Sequence, residues 1–495
     1  MCIEGGVRVR FDGERSRFMA LFSSLASIAA FVLAVASAGH ALLLKRDPRA
    51  ALAWIAVCVL IPFVGPLLYF LFGINRVKTK AKKLRPDDRK SFPPFPERND
   101  ADELARSLIR TGEGLAEFIN TAAAVTKRPL VAGNRVDFYH NGEGVYPAMI
   151  ETIESATRSL FLTTYIFETN RTGRRFIAAL GDAVRRGVDV RVILDGFGEY
   201  YSCPRAGTLL KKEGVRVGRF IPPRLLVIPA LHINLRNHRK LMIADGTVGF
   251  AGGMNIGDRH LAENLGNSDR VVDMHFRIDG PVVATLEEVF LDDWAFVTGR
   301  YEPGSDIQPE PEGDAVCRVI TDGPNEDLDK LAMVLIGAVT AAKKSVTIMT
   351  PYFIPPRELM AVLQAASLRG IRVLIVLPEQ NNLPPVNWAT RNMLWELLRW
   401  GVEVYYQPPP FVHTKIFMID DHYLHIGSAN IDPRSLRLNF ELAVEVYDAT
   451  LAGRLAEHVE QVRRRSRQVT LEDMDSRSFP ARVRDSLAWL LSPYL

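Results

Sequence analysis

The sequence contains few cysteines, few histidines and little net charge. Its four cysteines, Cys2, Cys58, Cys203 and Cys317, lie far apart in 495 residues. None has the spacing of a metal knuckle or a redox pair, so we expect neither a disulfide framework nor a cysteine metal site. The net charge of +4 neither demands nor excludes a polyanionic partner. The chain lacks a long basic, aromatic-interleaved stretch, which argues against nucleic acid as a partner.

Two long apolar runs stand near the N-terminus, at residues 18–44 and 50–73. Each is long enough to span a bilayer as a helix. Pro62, Gly65 and Pro66 allow the second run to kink or to form a shallow re-entrant segment, but we expect a full second span. The sequence therefore predicts a transmembrane hairpin.

Basic residues flank the second run unevenly. Six cations lie between Arg76 and Arg85, against three in the loop at residues 45–49. The positive-inside rule then places the C-terminal bulk in the cytoplasm. Ala36-Ser37-Ala38 also resembles a signal-peptidase site. A cleaved chain would cross once through residues 50–73 and keep that orientation, but the apolar run is longer than a typical signal core, so we favour the uncleaved hairpin.

Behind the hairpin, two stretches of the chain follow one plan. The segment 156–162 matches 342–348, and 183–188 matches 366–371, in each case where a helix leads towards a buried strand. Strands alternating with helices in this way predict an α/β fold of two pseudo-symmetric lobes with mixed sheets. We expect the lobes to pack face to face.

These patterns divide the chain into six parts. They are a short N-terminal segment (1–17), the membrane hairpin (18–76, with spans at about 18–44 and 50–73), a basic then proline-rich tether (77–104), the first repeat (105–301), a linker (302–315), and the second repeat with C-terminal helices (316–495).

Each repeat carries the same chemical motif. His238, Lys240 and Asp245 recur as His413, Lys415 and Asp420, and each set precedes a glycine-led turn that ends in Asn255 or Asn430. An imidazole, an ammonium and a carboxamide together suit displacement at a phosphodiester. With only 10 histidines in the chain, two such matches are not a coincidence.

The spacing inside the motif separates its members. Residues 412–419 form a strongly β-prone run, so His413 and Lys415 face one side and Asp420 lies on the other side or beyond the strand. The spacing therefore favours structural anchoring for Asp245 and Asp420. A lysine beside each histidine would repel a cation, which favours chemistry without a metal.

The doubled His-x-Lys-x4-Asp motif followed by Gly-(Gly/Ser)-x-Asn resembles the phospholipase D superfamily, and bacterial cardiolipin synthases in particular. Segments 236–240, 252–256, 273–281, 428–435 and 439–441 carry this closer resemblance, as do the paired apolar runs. It implies phosphatidyl transfer between two phosphatidylglycerol molecules through a phosphatidyl-histidine, without a cofactor or metal. It also implies a multi-pass protein of the bacterial inner membrane in contact with anionic lipids.

The resemblance implies a role for each site residue. His238 is the expected nucleophile and His413 the acid and base, although symmetry permits the reverse. Lys240, Lys415, Asn255 and Asn430 would bind the phosphate oxygens. The catalytic motif also contains Asp245 and Asp420, and Asp273 and Glu441 stand where relatives keep an acid that orients the opposed histidine.

Other interpretations use the same residues. A hydrolytic phospholipase D would pass the phosphatidyl group to water, and a nuclease of this superfamily would act on nucleic acid. A membrane scaffold would leave two intact half-sites unexplained. The apolar, proline-rich loop at residues 220–231 has no counterpart in the second repeat, and we expect it either to dip into the bilayer or to be buried.

Overall fold

The computed structural model describes residues 5–45, 48–73, 115–220, 236–323 and 329–492. The predicted tether at 77–104 and nearly all of the apolar loop at 220–231 lie outside these residues. The described residues belong to two units, an N-terminal helical unit and a mixed α/β body.

The N-terminal unit contains helices α1 (Gly5–Leu44), α2 (Pro48–Leu60) and α3 (Val64–Leu68), followed by a π-helical turn (Tyr69–Gly73). Within the described residues one helical stretch, Leu21–Leu44, is long and apolar enough to cross a membrane. The comparably apolar α2 is too short for this, at 13 residues.

The expected second span at residues 50–73 is not one continuous helix. Helix α2 ends at Leu60, and Phe63 has a φ of 62°, which breaks the helical path. The chain then packs back on α2. This is seen at Gly65, where an added Cβ would lie 2.1 Å from the carbonyl oxygen of Val57. Pro62 at this point cannot donate the backbone hydrogen bond that a helix requires.

The body alternates helices and strands as the sequence predicts. Its helices are α4 (Leu115–Thr126), α5 (Asn141–Ser155), α6 (Arg171–Arg185), α7 (Ala206–Lys212), α8 (Val282–Thr298), α9 (Lys330–Ala341), α10 (Arg357–Leu368), α11 (Pro384–Leu398), α12 (Pro433–Arg437), α13 (Ala449–Arg465), α14 (Leu471–Asp475) and α15 (Phe479–Leu490). Its strands are β1 (Val131–His140), β2 (Ser159–Thr164), β3 (Asp189–Asp195), β4 (Arg216–Phe220), β5 (Leu241–Ala244), β6 (Val248–Gly252), β7 (Val271–Val272), β8 (Met274–Asp279), β9 (Ala315–Asp322), β10 (Ser345–Met349), β11 (Arg372–Pro378), β12 (Glu403–Gln407), β13 (Phe411–Val412), β14 (Ile416–Ile419), β15 (Tyr423–Gly427), β16 (Glu441–Tyr447) and β17 (Arg467–Val469).

Fifteen of these strands form one sheet, in the order β17-β12-β11-β10-β14-β15-β16-β9-β1-β8-β6-β5-β2-β3-β4. Each half is mixed: β2, β3 and β4 are parallel and β5 is antiparallel to β2, while β10, β11, β12 and β14 repeat the pattern. The antiparallel pairing of β1 with β9 joins the halves. The predicted pair of α/β lobes is confirmed, as one sheet that runs through both.

The core explains why the lobes stay together. Helices α8 and α13 contribute to one apolar cluster that contains residues of both repeats, among them Phe290, Ile416 and Val444. Burying such side chains contributes roughly 2 kcal/mol each, which favours a fixed arrangement of the lobes.

Helix α4 packs with the second lobe, although the sequence places it in the first repeat. Phe118 and Ile119 lie in the core of the second lobe, and the guanidinium of Arg318 donates to the Ile119 carbonyl at 3.2 Å. Helix contacts of this kind are not visible in a repeat pattern.

Candidate active site

The two motif histidines lie just before strands β5 and β14, where the backbone leaves its own sheet. The N–H of His238 donates to the carbonyl of Phe440 at 3.0 Å, and the N–H of His413 donates to Val272 at 2.7 Å. Both bonds reach the opposite lobe. The predicted continuous strand over residues 412–419 is therefore interrupted between Val412 and Ile416, because residues 413–415 serve the lobe interface.

His238 of the first lobe is held by a carboxylate of the second. Its Nδ1 lies 3.0 Å from Glu441 Oε1 and 3.1 Å from Oε2. A proton on Nδ1 donated to Glu441 leaves the lone pair on Nε2 for chemistry. Burial opposes ionisation of Glu441, but His238, Lys240 and Ser428 outweigh it, so the pKa of Glu441 lies below its usual value.

His413 of the second lobe has the reciprocal arrangement. Its Nδ1 lies 2.8 Å from Oδ2 of Asp273, which follows the two-residue strand β7 of the first lobe. Strands β7 and β13 pair in parallel and carry these two residues towards each other. Burial raises the pKa of Asp273, with Lys415 opposing the shift. Each lobe thus orients the histidine of the other.

The second residue of each glycine-led turn lies against the orienting acid. A Cβ on Gly253 would lie 2.6 Å from Asp273 Oδ1, so a larger residue would collide with the carboxylate. In the second lobe the equivalent Ser428 donates its hydroxyl to Glu441 Oε2 at 2.5 Å. This contact explains why the motif requires a small residue here.

Both lysines are buried in the site. Lys240 Nζ donates to the His238 carbonyl at 2.7 Å, and Lys415 Nζ donates to the His413 carbonyl at 2.5 Å. Burial lowers the pKa of Lys240 to about 7 and that of Lys415 to about 8, although Glu441 and Asp273 oppose the shift. Such lysines gain a full charge when an anion binds.

The two histidines differ in their contact with lysine. Lys415 Nζ lies 3.0 Å from Nδ1 and 3.1 Å from Nε2 of His413. Burial, and then Lys415, Lys240 and His238, lower the pKa of His413 well below its usual value. Burial also lowers the pKa of His238, but Glu441 opposes the shift. The two half-sites therefore act on each other electrostatically. Of the two imidazoles, His238 takes up a second proton more readily.

The two asparagines are oriented differently. Asn255 Oδ1 accepts from the backbone N–H of Ile166 at 3.0 Å, which leaves its amide nitrogen to serve as a donor. Asn430 Nδ2 donates to Ser435 Oγ at 3.3 Å. Within the described part of the chain, the buried Asn430 Oδ1 has no hydrogen-bond partner. Asn255 is thus set as a donor, whereas the Asn430 amide would need to turn over.

Asp245 and Asp420 hold the backbone and do not contact the histidines. Asp245 accepts from the N–H groups of residues 157–159 at 2.8 to 2.9 Å. Asp420 accepts from the N–H of Ser345 at 2.9 Å and from those of the two preceding residues. Both have positive φ, at 51° and 54°, in the turns after β5 and β14. These two aspartates of the motif therefore have a structural role.

Two aromatic neighbours of the histidines lie outside the sequence motif. The Tyr165 ring centroid lies 5.4 Å from that of His238, and the Tyr352 centroid lies 6.3 Å from that of His413. Both tyrosines follow matched buried strands, β2 and β10. Their similar positions in the two repeats are the sequence feature that could have identified them. Burial raises the pKa of each phenol, so both remain protonated.

The site also contains buried histidines outside the motif. His260 Nε2 accepts from the N–H of Asn255 at 3.3 Å, and burial lowers the pKa of His260 to about 3. Among the described residues no group of three or more histidine, cysteine or carboxylate side chains is placed to hold a metal ion.

Comparison with known proteins decides the family. The profile described as "Cardiolipin synthase, PLD-like domain" matches residues 149–294 and 335–463, which together make up more than half of the chain. The chain belongs to the cardiolipin synthase family of phospholipase D-like proteins. A second profile, the phospholipase D-nuclease N-terminal segment, matches residues 32–73.

Relatives in this family match over nearly the whole chain. The major cardiolipin synthase of Bacillus subtilis is 32% identical over 468 residues, covering 91% of this chain and 95% of the relative. A cardiolipin synthase of Geobacillus kaustophilus is 30% identical over 484 residues, covering 97% and 95%. The crystal structure of phosphatidylserine synthase from Haemophilus influenzae superposes with a TM-score of 0.59 at 16% identity, covering 77% of this chain and 100% of that one. That likeness supports the two-lobed fold.

Proposed function

We propose that this protein is a cardiolipin synthase, which transfers the phosphatidyl group of one phosphatidylglycerol to a hydroxyl of a second and releases glycerol. The observation that carries the proposal is the crossed pairing of each motif histidine with an acid of the other lobe. Two oriented imidazoles in one buried site suit an attack on phosphorus and a proton transfer on the opposite side.

In the first step, Nε2 of one histidine attacks the phosphorus of phosphatidylglycerol. The bond from phosphorus to the glycerol oxygen breaks, and the other histidine donates a proton to that oxygen. Lys240, Lys415 and Asn255 bind the non-bridging oxygens as negative charge increases, each donor contributing about 3 kcal/mol.

In the second step, the histidine that has lost its proton acts as a base. It removes the proton from a hydroxyl of the second phosphatidylglycerol, whose oxygen displaces the histidine from phosphorus. Both proton and charge balance over the cycle, so no cofactor is required by this scheme.

The contacts at the two histidines support an order of steps opposite to the one expected from resemblance. Lys415 lies against both ring nitrogens of His413, which disfavours a second proton on this ring and keeps the imidazole neutral and nucleophilic. The charged Glu441 supports a proton on His238. We therefore assign His413 as the nucleophile and His238 as the acid in the first step.

The proposal places the protein in the bacterial inner membrane, with the catalytic body in the cytoplasm and anionic lipids as partners. The apolar α1 stretch supports membrane association, and the cations between Arg76 and Arg85 support the orientation. Nucleic acid is not a proposed substrate.

Product analysis tests this function. Purified full-length protein in phosphatidylglycerol vesicles should release glycerol and cardiolipin in equal amounts, and His413→Ala should abolish both. Phosphatidic acid as the sole lipid product would mean hydrolysis and would overturn the proposal.

A further inference from the structure

The second apolar segment provides an inference about membrane topology that is independent of catalysis. We propose that residues 48–73 form a re-entrant helical hairpin that enters and leaves the membrane on one face. The chain would then cross the bilayer only once, through α1, and the catalytic body would share a face with the loop at residues 45–47.

The backbone path provides the first argument. Eight residues of continuous helix would separate Val57 and Gly65 by about 12 Å along the axis. Instead, a Cβ on Gly65 would lie 2.1 Å from the Val57 carbonyl oxygen and 2.9 Å from the Cα of Cys58. Gly65 therefore packs directly on the last turns of α2, which requires the chain to reverse at residues 61–63.

Side-chain contacts further along show that the return continues. The Tyr69 ring centroid lies 5.4 Å from that of Trp54, fifteen residues earlier, where a straight helix would separate them by about 22 Å. The Tyr69 hydroxyl lies 2.7 Å from Nδ1 of His40 on α1. Since α1 ends at Leu44 and α2 begins at Pro48, Tyr69 has come back towards the α1–α2 connection.

The length of α2 and the apolar character of the turn suit a segment that ends inside the hydrocarbon core, beyond its first leaflet. The 13 residues of α2 extend about 20 Å, short of the roughly 30 Å hydrocarbon core. The tip is apolar and exposed at Leu60, Phe63 and Val64, and residues 50–73 contain no charged side chain. An apolar tip of this kind suits hydrocarbon and not the aqueous phase on the far side.

Much of the turn's backbone is hydrogen-bonded within the turn, which lowers the cost of placing it in hydrocarbon. The N–H of Gly65 donates to the Ile61 carbonyl at 2.7 Å, and the N–H of Leu67 donates to Phe63 at 3.1 Å. Pro62 and Pro66 have no N–H to satisfy.

The distribution of cations then fixes which face is shared. Residues 45–49 and 76–85 together contain nine cations, against four before the apolar stretch Leu21–Leu44, namely Arg8, Arg10, Arg15 and Arg17. The positive-inside rule places the larger group, and with it the catalytic body, in the cytoplasm. The N-terminus then lies outside, and the hairpin enters the membrane from its cytoplasmic leaflet.

Labelling of single cysteines in intact cells tests this topology. Cys58 and Cys317 are replaced by alanine in every variant. The first variant then keeps only the natural Cys2, and the second keeps only the natural, exposed Cys203. The third lacks all four natural cysteines and carries Pro48→Cys. A membrane-impermeant maleimide should label Cys2 in intact cells, whereas Cys203 and the Pro48→Cys thiol should react only after permeabilisation. A fourth protein, Val64→Cys, should stay unlabelled in both conditions.

A continuous second span gives the opposite result. The Pro48→Cys thiol would then react in intact cells while Cys203 did not, which would overturn the proposal. Loss of the Cys2 signal through cleavage leaves the comparison of Pro48→Cys with Cys203 decisive. These readouts do not depend on cardiolipin synthesis, so failure of the proposed function would leave them unchanged.

A matched pair of glycine variants adds a second measurement. Gly65→Ala should reduce the amount of folded protein in the membrane, because the new methyl group meets the Val57 carbonyl. Gly39→Ala, in α1 with nothing within 4 Å of its added Cβ, should have no effect. Equal amounts of the two variants would contradict the reversal.

Discussion

Glu441 of the second lobe holds the imidazole of His238 in the first, with its Oε1 at 3.0 Å from Nδ1. In the reciprocal bond, His413 of the second lobe pairs with Asp273 of the first, so neither lobe on its own contains both a motif histidine and the acid that orients it. The duplication therefore produces one site and not two. This mutual dependence gives the first prediction.

Glu441→Gln and Asp273→Asn should each lower kcat by about 10²- to 10⁴-fold, because a carboxamide cannot stabilise a protonated imidazole and permits the wrong tautomer. Thermal unfolding and kcat, measured on the same preparations, check this. A loss of less than tenfold in both variants would show that the acids do not orient the histidines.

Asp245→Asn and Asp420→Asn serve as the matched controls. Each aspartate accepts several backbone N–H bonds, so its loss should reduce the free energy of unfolding by about 2 kcal/mol. The kcat of the folded fraction should stay within a few-fold of the parent. A collapse of kcat without loss of stability would return these residues to the reaction.

The order of the histidines can be tested with a phosphatidyl donor that carries a nitrophenolate leaving group, which needs no proton. His238→Ala should release one equivalent of nitrophenol in a burst and retain the phosphatidyl group on His413. His413→Ala should show no burst. The reverse pattern would assign His238 as the nucleophile and leave the overall reaction intact.

The lysines predict a decline of activity at alkaline pH. Lys240 and Lys415 have pKa values of about 7 and about 8, and only the charged forms bind phosphate oxygens well. We expect kcat/KM to fall as pH rises from 7 to 9, and Lys415→Arg to weaken that decline because a guanidinium stays charged. A flat profile through pH 9 would contradict the assignment.

Burial of Lys240 also carries a cost in stability. Its pKa is lower in the folded protein than the ordinary 10.5, so the charged form destabilises the fold below pH 7. Lys240→Met should therefore abolish activity yet raise the free energy of unfolding by a few kcal/mol at pH 6.5. That advantage should shrink as pH rises from 7 towards 10.5, which denaturation in detergent at both ends of the range would show.

The doubled motif and the strand pattern were sufficient to predict the two α/β lobes, the strands that begin at Ser159 and Ser345, and the histidines and lysines of the site. They were insufficient where tertiary contacts decide. His413 leaves its predicted strand to bond with Val272, and α4 packs with the second lobe. Hydropathy also favoured a full span over residues 50–73, because it does not record that Gly65 lacks the Cβ that would prevent the reversal.

The central claim is that two histidines act in turn on one phosphorus. Phosphatidylglycerol made chiral at phosphorus by sulfur and an oxygen isotope tests it directly. Two successive in-line displacements should give cardiolipin with retained configuration at that phosphorus. Inversion would show a single direct displacement and would contradict the account.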